Sequence, residues 1–516
     1  MSFPRLKATI ALFAAVILLP SSSAWAQAKP TDQAAHIKKI EATAVNLPLG
    51  ANEPPLQLSL QKLMELFHVP GFSIAVIDEY KIAWAKAYGV TDAGSKTPVT
   101  TKTLFQAGSI SKPVAATGAL WLVEQGRLSL DEDVNFKLKT WKVPDNEFTK
   151  TEKVTLRRLM SHTAGLTVHG FPGYDVDEPL PTLVQIFNGE KPANSAPIRV
   201  DVVPGTIERY SGGGVTIEQQ LMIDVTGKPF AEFMKANVLE KIGMADSSYA
   251  QPLAKDLATR TAAGTYADGK MVHGRWHVYP EMAAAGLWTT PTDLAKFAIE
   301  IALSKQGKAN HVLSEKMTIT MLTPVKEQAG LGLFLDKDNP GQFGHNGADE
   351  GFQALLTMNA NTGNGVAIMA NSDRGIAAAD LVLEVVAKEY GWSYKSGPQT
   401  FWTLLLLTKM KGAPAALERY TELKKAGEPN AGINERLLND LGYMLLQDDQ
   451  SQDAIILFQR NVQEFPQSSN AYDSLAEAYM KAGQKDLAIA NYEKSLQLDP
   501  KNQNAVEMLK KLNEKK

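Results

Sequence analysis

Phe105-Gln106-Ala107-Gly108-Ser109-Ile110-Ser111-Lys112-Pro113 sets a hydroxyl and an amine three residues apart at an expected helix start. Side chains at i and i+3 share one helix face, so the Lys112 amine can reach back one turn to the Ser109 hydroxyl. Serine is a weak nucleophile until a neighbouring base takes its proton. Lysine serves as that base only where burial or nearby positive charge lowers its pKa from about 10.4. A helix N-terminus supplies part of that field. The spacing alone is weak, since Ser-x-x-Lys occurs by chance about once or twice in a chain of this length. Ser59-Leu60-Gln61-Lys62 is such a copy. It lies within Leu56 to Phe67, whose apolar residues recur at helical intervals, and reads as surface helix. The competing reading of Ser109 is an ordinary helix cap.

Outward from this stretch, Ile110 to Glu124 reads as a buried helix, marked by Leu120, Trp121, Leu122 and Val123 and ended by Gly126. Upstream, Gly71 to Ile77 and Ile82 to Gly89 read as the strands of a hairpin turning at Asp78-Glu79-Tyr80-Lys81. From Asp131 to about Met282 the chain is loop-rich, with helical patches at Thr155 to His162 and Thr216 to Val225. Strand patterns return at Ala329 to Phe334, Leu355 to Asn359 and Gly365 to Ala370. The expected fold is α/β (α+β): an antiparallel sheet flanked by helices, closed by late strands, with a mainly helical subdomain inserted.

Near residue 395 the composition changes, and beyond Phe401 the chain is helix-forming to its end. Leu441, Gly442, Ala454, Phe458 and Pro466 recur 34 residues later as Leu475, Ala476, Ala488, Tyr492 and Pro500. That period is the tetratricopeptide signature of stacked helix pairs. Such repeats need about three units to bury a continuous core. Trp402 to Leu423 is therefore read as a degenerate first unit and Asn504 to Leu512 as a capping helix. The expected domains are 27–395 and 396–516.

The 516 residues exceed what one core usually organises. A net charge of -3 and a pI near 6.3 show no basic excess and argue against nucleic acid as partner. Arg5 and Lys7 precede the apolar run Ala8 to Leu19, followed by Ala24-Trp25-Ala26. This reads as a cleavable secretory signal over 1–26, with the mature chain starting at Gln27 in the periplasm or outside the cell. The run is shorter than the ~20 residues of a membrane span, so no stable span is expected after cleavage. The absence of cysteine excludes disulfides, thiolate chemistry and a lipid-modified cysteine anchor. His162, His169, His273 and His277 show no metal-ligand spacing, so no metal or other cofactor is expected.

Three further stretches bear on chemistry. Arg209-Tyr210-Ser211-Gly212-Gly213-Gly214 sets a phenol beside a glycine-rich turn that can approach a substrate closely. Phe343-Gly344-His345-Asn346-Gly347-Ala348-Asp349-Glu350-Gly351-Phe352 is a glycine-flanked polar segment leading into a strand. Ala285 to Leu294 reads as a strand turning into a capped helix without chemistry of its own.

With these residues in view, residues 55–390 resemble the serine β-lactamase and penicillin-binding-protein family, in the class C-like branch that includes esterases and D-aminopeptidases. Ser109-Ile110-Ser111-Lys112 is similar to the family's Ser-x-x-Lys, Tyr210-Ser211-Gly212 to its Tyr-x-Asn, and His345-Asn346-Gly347 to its Lys-Thr-Gly or His-x-Gly. Ser161-His162-Thr163-Ala164-Gly165-Leu166 resembles a structural stretch common in that branch. The resemblance implies that Ser109 attacks a carbonyl, that Lys112 and Tyr210 relay its proton, and that His345 and Gly347 border the substrate. It also implies an oxyanion site between the backbone amides of Ser109 and Ala348. Such preorganised donors contribute roughly 3 to 4 kcal/mol each.

Two departures shift the expected substrate. Gly212 stands where the family often has asparagine, and His345 replaces a lysine, removing a permanent cation that would attract a substrate carboxylate. The expected reaction is hydrolysis of a D-amino-acid peptide or carboxylic ester rather than a β-lactam, through an acyl-enzyme on Ser109. The alternatives are a penicillin-binding-like peptide sensor with slow or no turnover, and a true class C-type β-lactamase. A Ser-His-Asp esterase is disfavoured, because neither Ser109 nor Ser211 lies in a Gly-x-Ser-x-Gly elbow. The expected partners are a small-molecule or peptide substrate and a protein bound through the helical repeats, or repeats that pack on the hydrolase.

Overall fold

The computed structural model of the chain describes residues 30–47, 49, 54–394, 399–427 and 432–514. The expected signal at 1–26, its cleavage before Gln27 and the boundary at 395–396 lie outside the described residues.

Ten strands form among the described residues. β1 (Val45–Leu47) and β2 (Leu56–Leu58) make a small antiparallel pair. β3 (Gly71–Asp78) and β4 (Lys81–Gly89) are the expected hairpin, and β5 (Phe105–Gln106) pairs with β6 (Trp288–Thr289) beside the site. β7 (Phe334–Leu335), β8 (Gln342–Asp349), β9 (Phe352–Asn359) and β10 (Gly365–Ala370) complete a six-stranded antiparallel sheet in the order β4-β3-β10-β9-β8-β7. The last strand in sequence thus lies beside the first long one, with Ile368 opposite Ile74. Late segments close the sheet, as expected.

Two layers cover the sheet because side chains alternate along each strand. Ala75, Ile77, Ala354, Leu356, Ala367 and Met369 face a core shared with α1 (Ser111–Glu124), α2 (Gly212–Thr226) and α3 (Pro291–Ser304). Ile74, Val76, Leu355, Val366 and Ile368 face the other side, under α4 (Gly375–Glu389). The insert between α1 and β6 is built from short helices and loops around α2.

Two expectations are corrected. The Leu56–Phe67 helix is shorter: Leu56–Leu58 is strand β2, and the helix spans Leu60–Leu66 with Ser59 as its N-cap, accepting from the Lys62 amide at 3.2 Å. Alternation at Leu56 and Leu58 coincides with a helical interval, and the strand wins because Val45–Leu47 is there to pair with it. The strand expected at Ala329–Phe334 forms only at Phe334–Leu335; Gly332, at φ +83°, breaks the extended run before it.

The remaining helices are α5 (Gln399–Lys411), α6 (Ala413–Ala426), α7 (Glu435–Gln447), α8 (Ser451–Glu464), α9 (Ser469–Lys481), α10 (Lys485–Leu498) and α11 (Gln503–Glu514). Adjacent helices pack as antiparallel pairs, α7 with α8 and α9 with α10. Gly442 explains one repeat position, since a Cβ there would meet the Phe458 ring at 2.5 Å. The repeats are not a separate lobe: Leu404, Leu405, Leu438 and Leu441 share one buried cluster with α4 and the sheet. At this junction Arg374 Nε lies 2.6 Å from Asp448 Oδ1, and Lys409 also pairs with Asp448; all three side chains are buried.

Candidate active site

A tight turn, Gly108–Ile110, leads directly into α1. Ser109 is partly exposed there, while Lys112, one turn on, is buried at 3% exposure. Lys112 Nζ donates to Ser109 Oγ at 2.9 Å and to the Ala284 carbonyl at 2.7 Å. Ala284 belongs to the Met282–Ala285 turn, which packs against both α1 and α2 and is held by Gln219, whose side chain accepts from the Ala283 amide at 2.8 Å. The neighbouring Ser111 hydroxyl accepts from the Leu287 amide at 2.9 Å, which fastens the same segment to α1.

Tyr210 sits just before α2, whose N-cap is Ser211. Its hydroxyl faces Ser109 across the same cavity, and Lys112 Nζ lies 4.9 Å from its ring centre. His162 and His169 flank the phenol with ring centres 4.3 and 4.8 Å away, and Phe334 stacks at 6.2 Å. His162 Nδ1 also accepts from the Ser211 amide at 3.3 Å. The stretch read as structural thus supports the phenol directly.

Strand β8 brings the third segment. Its alternation buries His345, Gly347 and Asp349 on one face and exposes Asn346 and Ala348 on the other. β7 pairs with β8 only at Phe343 and Gly344, so Asn346–Asp349 forms the sheet edge. Two glycines let this edge meet the Ser109 turn. A Cβ on Gly347 would lie 1.9 Å from the Ala107 carbonyl oxygen, and one on Gly108, at φ +50°, would lie 2.4 Å from the Ala348 amide nitrogen. This backbone contact brings Ala348 up against the turn that carries Ser109.

The electrostatics follow from burial. Desolvation lowers the Lys112 amine to about 7, against the smaller pull of Asp349 and Glu218. Burial raises the Tyr210 phenol well above its ordinary range. Burial first, then Lys112, lowers His345 to about 3, so its ring is neutral at pH 7. Burial pushes the Asp349 carboxyl well up, Glu218 to about 8 and Glu281 to about 7. The arrangement therefore combines an amine that titrates near neutrality on a serine hydroxyl, a neutral phenol beside it, and close-set backbone amides. Its neutral amine can take the Ser109 proton.

Every residue singled out from the sequence, namely Ser109, Lys112, Tyr210, His345, Gly347 and Ala348, converges here. Five of them, all but the buried Lys112, line one cavity of about 820 Å³. Sequence reading missed His162, His169 and Phe334 around the phenol, and Asp349 and Glu218 near the amine. Asp349 was legible in part, because the period of two places it on the His345 face of β8. Among the described residues no cluster of three or more His, Cys, Asp or Glu could hold a metal ion.

The sequence model of the beta-lactamase family matches residues 58–389. The chain belongs to the beta-lactamase family. A beta-lactamase of Pseudomonas fluorescens is 28% identical over 243 residues, 46% of this chain and 62% of that protein. Penicillin-binding protein 4 of Amycolatopsis lactamdurans is 30% identical over 180 residues, 35% of this chain and 45% of that protein. The chain thus spans less than two thirds of either relative. The octameric penicillin-binding protein homologue from Pyrococcus abyssi shares the beta-lactamase fold at a TM-score of 0.55 and 24% identity, over 67% of this chain and 80% of that one. A tetratricopeptide repeat matches at residues 469–502, a repeat class suited to holding proteins. Among the described residues no helix is long and apolar enough to cross a membrane.

Proposed function

We propose that this protein hydrolyses an amide or ester through an acyl-enzyme on Ser109. The observation that carries the reading is the 2.9 Å hydrogen bond between Ser109 Oγ and a buried Lys112 amine lowered to about 7. Neutral Lys112 takes the hydroxyl proton as Oγ attacks the carbonyl carbon. The resulting oxyanion is held by the Ser109 and Ala348 amides. Tyr210, whose hydroxyl faces Ser109 and is far from ionising, relays that proton from Lys112 to the leaving group as its bond breaks, so that amine and phenol both end neutral. Water then attacks the ester, releasing the acid and restoring Ser109.

Gly212 and a neutral His345 favour a D-amino-acid peptide or carboxylic ester over a β-lactam. Gly212 leaves little room for an asparagine, since its Cβ would lie 3.0 Å from the His169 carbonyl oxygen. Substituting Ser109 by alanine should abolish labelling by a fluorophosphonate; undiminished labelling sinks the assignment. A receptor that acylates once is the second reading, prompted by the similarity to a penicillin-binding protein. A burst followed by steady turnover decides for the hydrolase.

The same reading has the chain exported, with 1–26 removed, and the unit from about 396 onward serving as a platform for a protein partner. N-terminal sequencing of the cellular protein tests the first point, and capture with the isolated mature chain tests the second.

A further inference from the structure

The cavity that holds Ser109 does not stop at the edge strand. It passes over β8 and reaches α4, where Asp380 and Leu383 line its far end. Its charged lining is acidic only: Asp336 and Asp380 contribute carboxylates, and among the described residues that line it there is no lysine or arginine. Burial, and then the Glu384 carboxylate, push Asp380 up to about 7.

A second observation comes from His345. Its Nδ1 lies 2.5 Å from the Asn346 carbonyl, an oxygen that can only accept, so Nδ1 carries the ring proton. Nε2 is then a bare acceptor, and it is buried without a partner while the residue lines the cavity. A buried acceptor lacking a partner is costly. It is satisfied by an N–H or O–H of a ligand and repelled by a carboxylate. Both ends of the cavity thus ask for a donor.

We propose that the substrate carries a cationic amine on the portion that crosses β8 toward α4, selected against carboxylates by Asp380 and by the His345 Nε2 lone pair. The proposal rests on the serine-hydrolase reading of Ser109 and adds the charge class of the substrate. Above pH 7, where Asp380 is largely ionised and at which the test is run, its opposite charge in a partly buried wall discriminates without any change in the chemical step, because it acts on binding of substrate and transition state alike.

The test uses the full mature chain and three p-nitrophenyl esters of equal length, ending in a dimethylammonium, an isopropyl or a carboxylate group. The expected order of kcat/KM is cation over neutral over anion, with a cation-to-anion ratio of about tenfold or more at low salt that shrinks as salt is added. Asp380→Asn should cut that ratio by about tenfold and Asp380→Lys should invert it. Turnover of the isopropyl ester reports whether each variant retains a folded site, and the salt dependence of the unsubstituted chain stands if neither does. A ratio at or below one, or a ratio that survives Asp380→Asn unchanged in a folded variant, overturns the proposal. Failure to hydrolyse any of the three esters, with Ser109 unlabelled, overturns the hydrolase reading beneath it and is distinguishable on that ground.

Discussion

Asp349 lies buried beside the Lys112 amine and is coupled to it electrostatically. It follows Ala348, and Gly108, which precedes Ser109, abuts the Ala348 amide, where a Cβ would lie 2.4 Å away, so Asp349 sits where the two backbone segments proposed to hold the oxyanion meet. Asp349→Ala is expected to lower kcat ~10- to 100-fold with little change in KM, since a small misplacement of oriented groups has effects of that size. Asp349→Asn, which keeps an acceptor, should recover most of the loss. Equal damage to kcat and KM in both variants would reduce Asp349 to a packing residue.

The state of Lys112 sets the pH dependence. Its amine is lowered to about 7 by burial, and only the neutral form can accept the Ser109 proton. The pH profile of kcat/KM should rise through about 7 and level above it. Lys112→Arg, permanently charged, should lose at least ~100-fold, the usual size of a general-base contribution. A rise centred near 10 would show an unperturbed amine.

The same burial carries a stability cost with a defined sign. The folded-state pKa of Lys112 is depressed below its unfolded value, so the charged form is penalised on folding. The penalty is full below about 7 and fades as pH climbs toward the unfolded value of 10.5. Lys112→Met should therefore raise the melting temperature at pH 6 to 7 while abolishing activity, and the gain should shrink in alkaline buffer; a lower Tm at pH 6 contradicts it.

Gly347→Ala tests the close approach of β8 to the Ser109 turn. Its Cβ would fall 1.9 Å from the Ala107 carbonyl oxygen, so the strand must withdraw. Overpacking of this kind costs about 1 to 3 kcal/mol. Fluorophosphonate labelling should fall more steeply than stability, as measured by denaturant unfolding alongside labelling rate.

Asp448→Ala tests the union of the repeats with the hydrolase. Arg374 and Lys409 would be left buried without their shared carboxylate, a loss of about 3 to 5 kcal/mol. Deleting the residues after about 396 should go further and cause aggregation, because the buried cluster that Leu404 to Leu407 share with β1 and the sheet would be opened to water. A monomeric, active truncate would show the repeats to be dispensable.

Much of the fold was legible because its signals are local. The β3–β4 hairpin, α1 and the 34-residue repeat are written in periodicities that need only neighbouring residues. The Leu56–Phe67 segment misled for the same reason, since only a partner strand distinguishes Leu56–Leu58 from a helical turn. The His345 face of β8 was readable by alternation, yet nothing local signalled that His162, far away in sequence, lies 4.3 Å from Tyr210.

The sequence by itself determined the order of the chemical groups, Ser109, Lys112, Tyr210 and then His345, and the class of architecture that carries them. Tertiary structure alone decided what those groups are. It takes burial by α1, α2 and the Met282–Ala285 turn to make Lys112 a base near neutral pH. It takes a bare backbone contact at Gly108 and Gly347 to bring Ala348 to the Ser109 turn, and the Asn346 carbonyl to make His345 an acceptor. Desolvation and hydrogen-bond partnership are properties of surroundings assembled from distant parts of the chain, and no spacing of residues encodes them.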